Sequence, residues 1–370
     1  MLIISRFSNY VVVLSLWATM VLWAKAAAVE FLSYQPSFSK LIGQNATGKV
    51  AQETSWEAFH EGGIYNKKDN SLYISSNFDT VGNPINITVL SLDDLSIRSQ
   101  RYVNLSMPNG GSVFRANRGG RYMGSDQTLQ IWCDQGDTNN YSKLVSLDPN
   151  TNQTTTLFSR FFNRNFSSIN DVRQHPETGD LWFTDATYAY FNGFRPSPQM
   201  PTQVYRYDMD SKSIQVVADG LQQPNGIEFS PDYKTLYVSD TGAATTRSTP
   251  TGPATIYAFD VVNRKRSLTN KRVLAYADNG IPDGLHTDIE GNVWASCGDG
   301  VHAWDSSGVL LGKVFTNDYT SNFAFVPGGM FIFSNKRLWV VENLIALGRE
   351  VCDDFGSHVD RRCNERRARH

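Results

Sequence analysis

Hydrophobic residues along the chain fall in short runs of four or five, a length typical of β-strands rather than helices. Six such runs begin at residues 72, 129, 181, 236, 293 and 330, so their starts lie 57, 52, 55, 57 and 37 residues apart. A second run follows each of them and ends in an acidic residue, at Asp93, Asp148, Asp208, Asp260, Asp305 and Glu342. The pattern predicts six repeated units, each holding several short strands.

Repeated units of four short strands and roughly 40–50 residues are typical of β-propellers. We therefore predict an all-β fold, a six-bladed β-propeller that forms a single domain over residues 29–350. A blade cannot bury both of its faces alone, so the ring has to close to make the core. A pair of β-sandwiches is the alternative, although it does not require matched two-part units.

Polar residues recur at nearly one distance before the first run of each unit. Glu61, Asn170 and Asn225 stand eleven residues before a run, Asp283 stands ten before and Asn322 eight before. One repeat offset corresponds to one level of the central channel, and carboxylate and amide oxygens suit a hard cation such as Ca²⁺. The sequence predicts a central metal-binding channel, although an isolated Asn-Gly or Asp-Gly is typical of a turn.

Four segments carry a resemblance to a known family: HEGGIY (60–65), NDVRQHPETGDLWFTD (170–185), QPNGIEFSPDYKTLYVSD (223–240) and IPDGLHTDIEGNVWASCGDGVHAWD (281–305). Their ordered series resembles the gluconolactonase/regucalcin-like lactonohydrolases, especially secreted fungal lactonohydrolases, over roughly residues 55–340.

This resemblance implies a six-bladed propeller with one divalent cation in its channel. The implied metal ligands are Glu61, Asn170, Asn225 and Asp283, and the implied reaction is attack of water on a metal-polarised lactone carbonyl. Regucalcin-type members carry an Arg where this chain has Ser168, so the resemblance leaves the sugar-lactone specificity open.

We predict that Asp283 is both a ligand and the general base that deprotonates the water. Further candidates for substrate contact or for support of the ligands are His60, Asp185, Asp240, His286 and Asn322. An ordinary structural role is the favoured alternative for each histidine, and each of the two strand-end aspartates could equally be a turn residue. The chain contains no G-x-S-x-G and no H-E-x-x-H motif, which argues against a serine hydrolase and a zinc protease.

Two other functions stay open at this stage. One is a strictosidine-synthase-like propeller enzyme, which would need a channel Glu as base without the four-ligand set. The other is a non-enzymatic binding propeller with structural calcium. The formal net charge of −2 argues against a nucleic-acid partner, so the expected partner is a small-molecule lactone, and the oligomeric state is left open.

The N-terminus predicts export. An apolar run at 11–23 follows Arg6 and precedes A-x-A sites, so residues 1–28 read as a secretory signal peptide cleaved near 27–29. An uncleaved anchor is the alternative. We predict a secreted or secretory-lumen protein that keeps no membrane segment after cleavage. Six N-x-S/T sites fit this, at Asn45, Asn86, Asn104, Asn140, Asn152 and Asn165.

In an oxidising compartment, Cys352 and Cys363 are predicted to form a local disulfide in a C-terminal tail, residues 351–370. Cys133 and Cys297 end apolar runs and resemble buried small hydrophobic residues. A pairing of these two cysteines is the alternative.

Overall fold

The computed structural model describes residues 28–78, 85–114, 129–244, 251–355 and 360–363. Apart from Ala28, the predicted signal peptide lies outside these residues. Among the described helices, none exceeds seven residues, far below the ~20 that a membrane-spanning helix needs, and none has the apolar character for it.

In chain order the strands are β1 (Glu30–Ser33), β2 (Thr47–Glu53), β3 (Glu61–Asn66), β4 (Ser71–Ser75), β5 (Ile87–Asp93), β6 (Ser96–Val103), β7 (Pro108–Val113), β8 (Gln130–Asp134), β9 (Lys143–Asp148), β10 (Gln153–Phe158), β11 (Arg160–Phe161), β12 (Arg164–Asn165), β13 (Ser168–Gln174), β14 (Leu181–Ala186), β15 (Gln203–Tyr207), β16 (Ile214–Ala218), β17 (Pro224–Phe229), β18 (Thr235–Asp240), β19 (Thr255–Val262), β20 (Ser267–Tyr276), β21 (Leu285–Thr287), β22 (Val293–Cys297), β23 (Gly300–Trp304), β24 (Leu310–Phe315), β25 (Asn322–Val326), β26 (Gly329–Ser334) and β27 (Arg337–Glu342). The helices are α1 (Pro36–Ile42), α2 (Tyr188–Phe191) and α3 (Arg349–Phe355), with a 3₁₀ turn at Gly242–Ala244.

These strands confirm the predicted six-bladed β-propeller. Antiparallel four-stranded sheets β3–β6, β7–β10, β13–β16 and β17–β20 form blades 1 to 4, and β21–β24 with β1 form blade 5. Blade 6 combines β25–β27 with β2, so an N-terminal strand pairs with the last strand, Thr47 opposite Glu342. This pairing closes the ring. The six predicted apolar runs become the second strands of the blades, and the runs that end in an acidic residue become the third strands.

Buried aromatic residues of the second strands join neighbouring blades. Trp132 packs with blade 1, Trp182 with blade 4 and Trp294 with blade 6, and all three are fully buried. At ~25 cal/mol per Å² over ~150–250 Å², each contributes about 4–6 kcal/mol of apolar burial. The core is therefore a ring of contacts between blades.

The C-terminal segment is part of this core. The predicted boundary at residue 350 falls inside α3, and Val351, Cys352 and Cys363 are buried between blades 5 and 6. The Cys352–Cys363 disulfide is present as predicted, with the Cα atoms 5.2 Å apart. Cys133 and Cys297 are buried free thiols, so their alternative pairing does not occur.

The predicted glycosylation sites differ in exposure. Asn45, Asn104, Asn140 and Asn152 are exposed and Asn165 is half-buried. Asn86 is buried, with 7% of its surface exposed, because its backbone is bonded to Ser76 at the entry to β5. The use of these six sites as glycosylation sites stays a prediction.

Candidate metal centre in the propeller channel

The first strands of five blades carry a polar residue near their N-terminal ends, and in blade 5 Asp283 lies just before β21. Ile169 pairs with Asp185 and Pro224 pairs with Asp240, so Asn170 and Asn225 follow at equivalent positions. A register irregularity begins at that point in both strands, and β3 has one just after Glu61. Such β-bulges redirect side chains.

Hydrogen bonds link the predicted ligands and their neighbours. The side chain of Asn225 lies close enough to Asp283 to lower the pKa of its carboxyl group, and Tyr319 donates its hydroxyl to Asp283 Oδ2 at 2.6 Å. Asn322 donates Nδ2–H to Glu61 Oε2 at 2.6 Å. The structure thus brings Glu61, Asn225 and Asp283 to one buried region with Asn322.

Two glycines make this convergence possible. A Cβ on Gly284 would lie 2.2 Å from the Asn322 carboxamide, and one on Gly226 would lie 2.4 Å from the Asp283 carbonyl oxygen. Any larger residue at either position would push these polar groups apart.

The site carries an excess of buried negative charge. Burial, followed by the charge of Asp283, raises the pKa of Glu61 well above its usual range, and Asn322 and Arg173 offset only part of this. Burial also raises the pKa of Asp283 to about 7, against the hydrogen bond from Tyr319. A bound cation would favour both charged forms.

Within the described residues, two oxygens of the predicted ligands have no hydrogen-bond donor. Among the described residues, Asn170 Oδ1 and Asp283 Oδ1 are buried and accept no hydrogen bond. A buried acceptor without a partner costs about 1–3 kcal/mol, and both are hard oxygen donors of the kind that calcium takes. The residues present therefore fit a divalent cation at this end of the channel.

A second acidic cluster lies further along the channel, where ligand atoms of Glu228, His286 and Glu350 approach within 4.8 Å of one another. Its carboxylate oxygens already have donors: Glu228 accepts from Arg173 and Arg349, and Glu350 accepts from Arg173 and His286. Two guanidinium groups form ion pairs with these carboxylates. We interpret Glu228, His286, Glu350, Arg173 and Arg349 as a buried ion-pair network, called the ionic seal below, rather than a second metal site.

Asp185 and Asp240 hold the loops that lead into the two asparagine positions. Asp185 accepts the backbone N–H groups of 167–168, and Asp240 accepts those of 222–223. Burial raises the pKa of Asp185 to about 7. The two carboxylates therefore fix backbone.

The two candidate histidines lie apart. His60 Nδ1 is 2.7 Å from Asn335 Oδ1 of blade 6, and burial lowers its pKa to about 4. His286 follows Asp283 by three residues; its Nδ1 lies 2.9 Å from Glu350 and its Nε2 3.3 Å from Asn322 Oδ1. Both rings contact residues other than Asp283.

Sequence reasoning missed Asn109, which is buried at the equivalent position of β7. Pro108 pairs with Asp134 as Pro224 pairs with Asp240. The tripeptide Pro-Asn-Gly occurs at 108–110 and again at 224–226 and could have revealed it. The fixed offset failed because the connection from β7 to β8 is longer than in the other blades.

Two tyrosines were also missed. Tyr188 contacts Thr241 with its hydroxyl and lies 3.3 Å from Asn225 Nδ2, and Tyr319 binds Asp283. Both stand in connections between strands, where no repeat offset exists to mark them.

The fold and these residues define a six-bladed β-propeller with an oxygen-rich site at one end of its channel. The chain belongs to the SMP-30/gluconolactonase/LRE-like family, whose model matches residues 59–340. It is 34% identical over 217 residues to lactonohydrolase oryL of Aspergillus oryzae, a match that covers 54% of this chain and 47% of that protein. The chain thus spans about half the length of this curated relative.

Solved structures agree with this assignment. A gluconolactonase from Xanthomonas campestris superposes with a TM-score of 0.70 at 25% identity, covering 86% of this chain and 95% of the other. Regucalcin from Agrobacterium tumefaciens, described as a calcium-binding protein, superposes with a TM-score of 0.60 at 17% identity, covering 81% of this chain and 95% of the other. The superposition on regucalcin supports the fold alone.

Proposed function

We propose that this protein hydrolyses a lactone with a divalent cation, calcium in the first instance, held by Glu61, Asn170, Asn225 and Asp283. The observation that carries the proposal is a pair of buried oxygens, on Asn170 and Asp283, that accept no hydrogen bond from the described residues and lie in a region of excess negative charge. The lactonohydrolase and gluconolactonase relatives support the reaction type.

When bound, the cation would polarise the lactone carbonyl and stabilise the oxyanion that develops on it. Asp283 acts as the general base. Its Oδ1 would face the cation, and its Oδ2, which is oriented by Tyr319, keeps a second lone pair to accept a proton from water. The new bond joins the water oxygen to the carbonyl carbon, the ring C–O bond breaks, and the proton on Asp283 passes to the departing alkoxide.

Aromatic side chains suggest a substrate with apolar parts. Phe78 after β4 and Phe194 after α2 contact each other with ring centroids 5.0 Å apart, although their blades are not neighbours. Tyr319 has 38% of its surface exposed while its hydroxyl binds Asp283. Ser168, at the position where regucalcin-type members carry an Arg, donates its hydroxyl to Gln135 Oε1. We therefore expect apolar lactones to be hydrolysed faster than polyhydroxylated sugar lactones in a lactone panel.

The experiment compares two ligand variants. Asp283→Asn keeps the shape and one oxygen donor but removes the base, so turnover should fall by at least about 10²-fold even at saturating calcium. Asn225→Ala removes a neutral ligand, so raising the calcium concentration should restore part of its activity. If excess metal returns Asp283→Asn to wild-type turnover, Asp283 is a ligand only.

A binding propeller with structural calcium would use the same ligands and is favoured by no separate observation. It predicts that no lactone in the panel is opened, with or without EDTA. A strictosidine-synthase-like activity is disfavoured because the channel holds the Glu/Asn/Asn/Asp set.

Secretion remains part of the proposal. The Cys352–Cys363 disulfide and the exposed sequon asparagines support passage through an oxidising, glycosylating compartment. The expected partner is the small-molecule lactone.

A further inference from the structure

The C-terminal helix α3 inserts charged side chains into the channel from the side of the ionic seal. Arg349 is buried and binds Glu228, and Glu350 binds Arg173 with its Oε1 3.0 Å from Nε. The disulfide from Cys352 to Cys363 anchors the helix two residues after Glu350.

From Glu350 a chain of hydrogen bonds runs back to the candidate metal centre. Glu350 Oε2 lies 2.9 Å from His286 Nδ1, and His286 Nε2 lies 3.3 Å from Asn322 Oδ1. Asn322 Nδ2 lies 2.6 Å from Glu61 Oε2. Three side chains from three separate parts of the sequence thus connect α3 to a predicted ligand.

The orientation of each group follows from its partners. Asn322 Oδ1 accepts the backbone N–H of Phe323 at 2.8 Å, and its Nδ2 faces a carboxylate, so the carboxamide cannot be reversed. Nδ1 of His286 then faces the Glu350 carboxylate, and Nε2 faces the Asn322 carbonyl oxygen. Edge contacts with Phe323 and Phe325 hold the ring in place.

This arrangement fixes Glu61. The Asn322 donor engages Oε2, which leaves the other carboxylate oxygen for a cation. Each contact limits the position of the next side chain, so a change at Glu350 reaches Glu61 through His286 and Asn322.

We propose that Glu350 is a positioning residue that orients the predicted metal ligand Glu61 through His286 and Asn322. The C-terminal helix α3 would thereby contribute to metal binding. The inference rests on the cation site of the proposed function. It assigns α3 a role that its place outside the blades does not suggest.

The test measures calcium affinity by isothermal titration on the full, disulfide-bonded protein. Glu350→Gln keeps the shape of the side chain but loses the charge that holds His286. Loss of such outer partners typically weakens metal binding about 10–100-fold, so we expect at least a 10-fold rise in Kd. The matched control is Asp353→Asn on the same helix, which loses a charge that pairs with Arg349 and should leave calcium affinity unchanged.

A double-mutant cycle separates positioning from simple support of the fold. In an Asn322→Ala background, Glu350→Gln should weaken calcium binding no further, because the chain is already broken. If Glu350→Gln does not fold, His286→Gln tests the same chain and should give the same loss.

Wild-type affinity in Glu350→Gln, or equal losses in Glu350→Gln and Asp353→Asn, would overturn the inference while leaving the cation site intact. A wild-type protein that binds no calcium would overturn the cation site and the inference with it.

Discussion

The hydroxyl of Tyr319 offers the sharpest test of how the site is organised. It donates to Asp283 Oδ2 at 2.6 Å, while 38% of the residue surface is exposed. Tyr319→Phe therefore removes one hydrogen bond to a carboxylate and almost no packing. A hydrogen bond to a charged group contributes about 1.5–3 kcal/mol, which corresponds to about 10- to 150-fold in rate.

We expect kcat/KM for lactone opening to fall by that factor in Tyr319→Phe at saturating calcium, because Asp283 loses the contact that orients it. The matched control is Tyr188→Phe, whose hydroxyl lies 3.3 Å from the neutral Asn225 Nδ2. A neutral pair contributes about 0.5–1.5 kcal/mol, so its loss should be smaller. Melting curves of both variants check that the fold is intact.

The reasoning also requires the effect to pass through Asp283. In an Asp283→Asn background, Tyr319→Phe should change the residual rate little. Full wild-type activity in Tyr319→Phe, or a larger loss in Tyr188→Phe, would refute the assignment of Tyr319 as the group that holds the base.

Three further predictions concern metal, pH and processing. Calcium at 100 times its Kd adds about 2.7 kcal/mol to the free energy of unfolding. Because the unfolding entropy of some 340 residues is about 0.7 kcal/mol/K, EDTA should lower Tm by about 4 °C. An unchanged Tm would contradict the cation site. Burial lowers the pKa of His175 to about 3 from 6.5, so the unfolded chain binds the proton first and stability is lost as pH falls below 6.5, by about 2 kcal/mol at pH 5. His175→Asn keeps an acceptor for the N–H groups of 177–178. Between pH 7 and pH 5 the free energy of urea unfolding should therefore fall by about 2 kcal/mol more in wild type than in this variant. An equal pH dependence in the two proteins would contradict a neutral buried His175. The exported protein should begin near residues 27–29 and lose mass on deglycosylation, whereas an intact Met1 on an unglycosylated protein would argue against secretion.

The repeat pattern predicted much of the fold because each blade repeats the same alternation of apolar strand and polar turn. It could not show that β2 completes blade 6, since Thr47–Glu53 belongs to no repeated unit and pairs with a strand about 290 residues away. Nor could it place α3, because Arg349 and Glu350 are typical of a solvated helix until their buried partners are known.

The candidate site was predictable where the offset between a polar residue and the next strand was constant. Asn170 and Asn225 stand at one offset, and the structure gives them one register position. Asn109 was not predicted because the longer connection from β7 to β8 changed its offset from the next strand. Tyr319 escaped because its contact with Asp283 joins two loops.

The same strands supply residues to two levels of the channel, which differ in whether their buried oxygens have a positively charged or hydrogen-bonding partner. Successive side chains on a strand alternate between faces, so residues three apart should point in opposite directions. The register irregularities in β13 and β17 insert extra residues between Ile169 and Val172 and between Pro224 and Ile227, which allows Asn170 and Arg173 of one strand to serve the same channel. At the level of Asn170 and Asp283, buried oxygens accept no hydrogen bond from the part of the chain that the structure describes. At the other, Arg173 satisfies the carboxylates of Glu228 and Glu350. A cation is therefore expected only where the chain has not supplied its own positive charge.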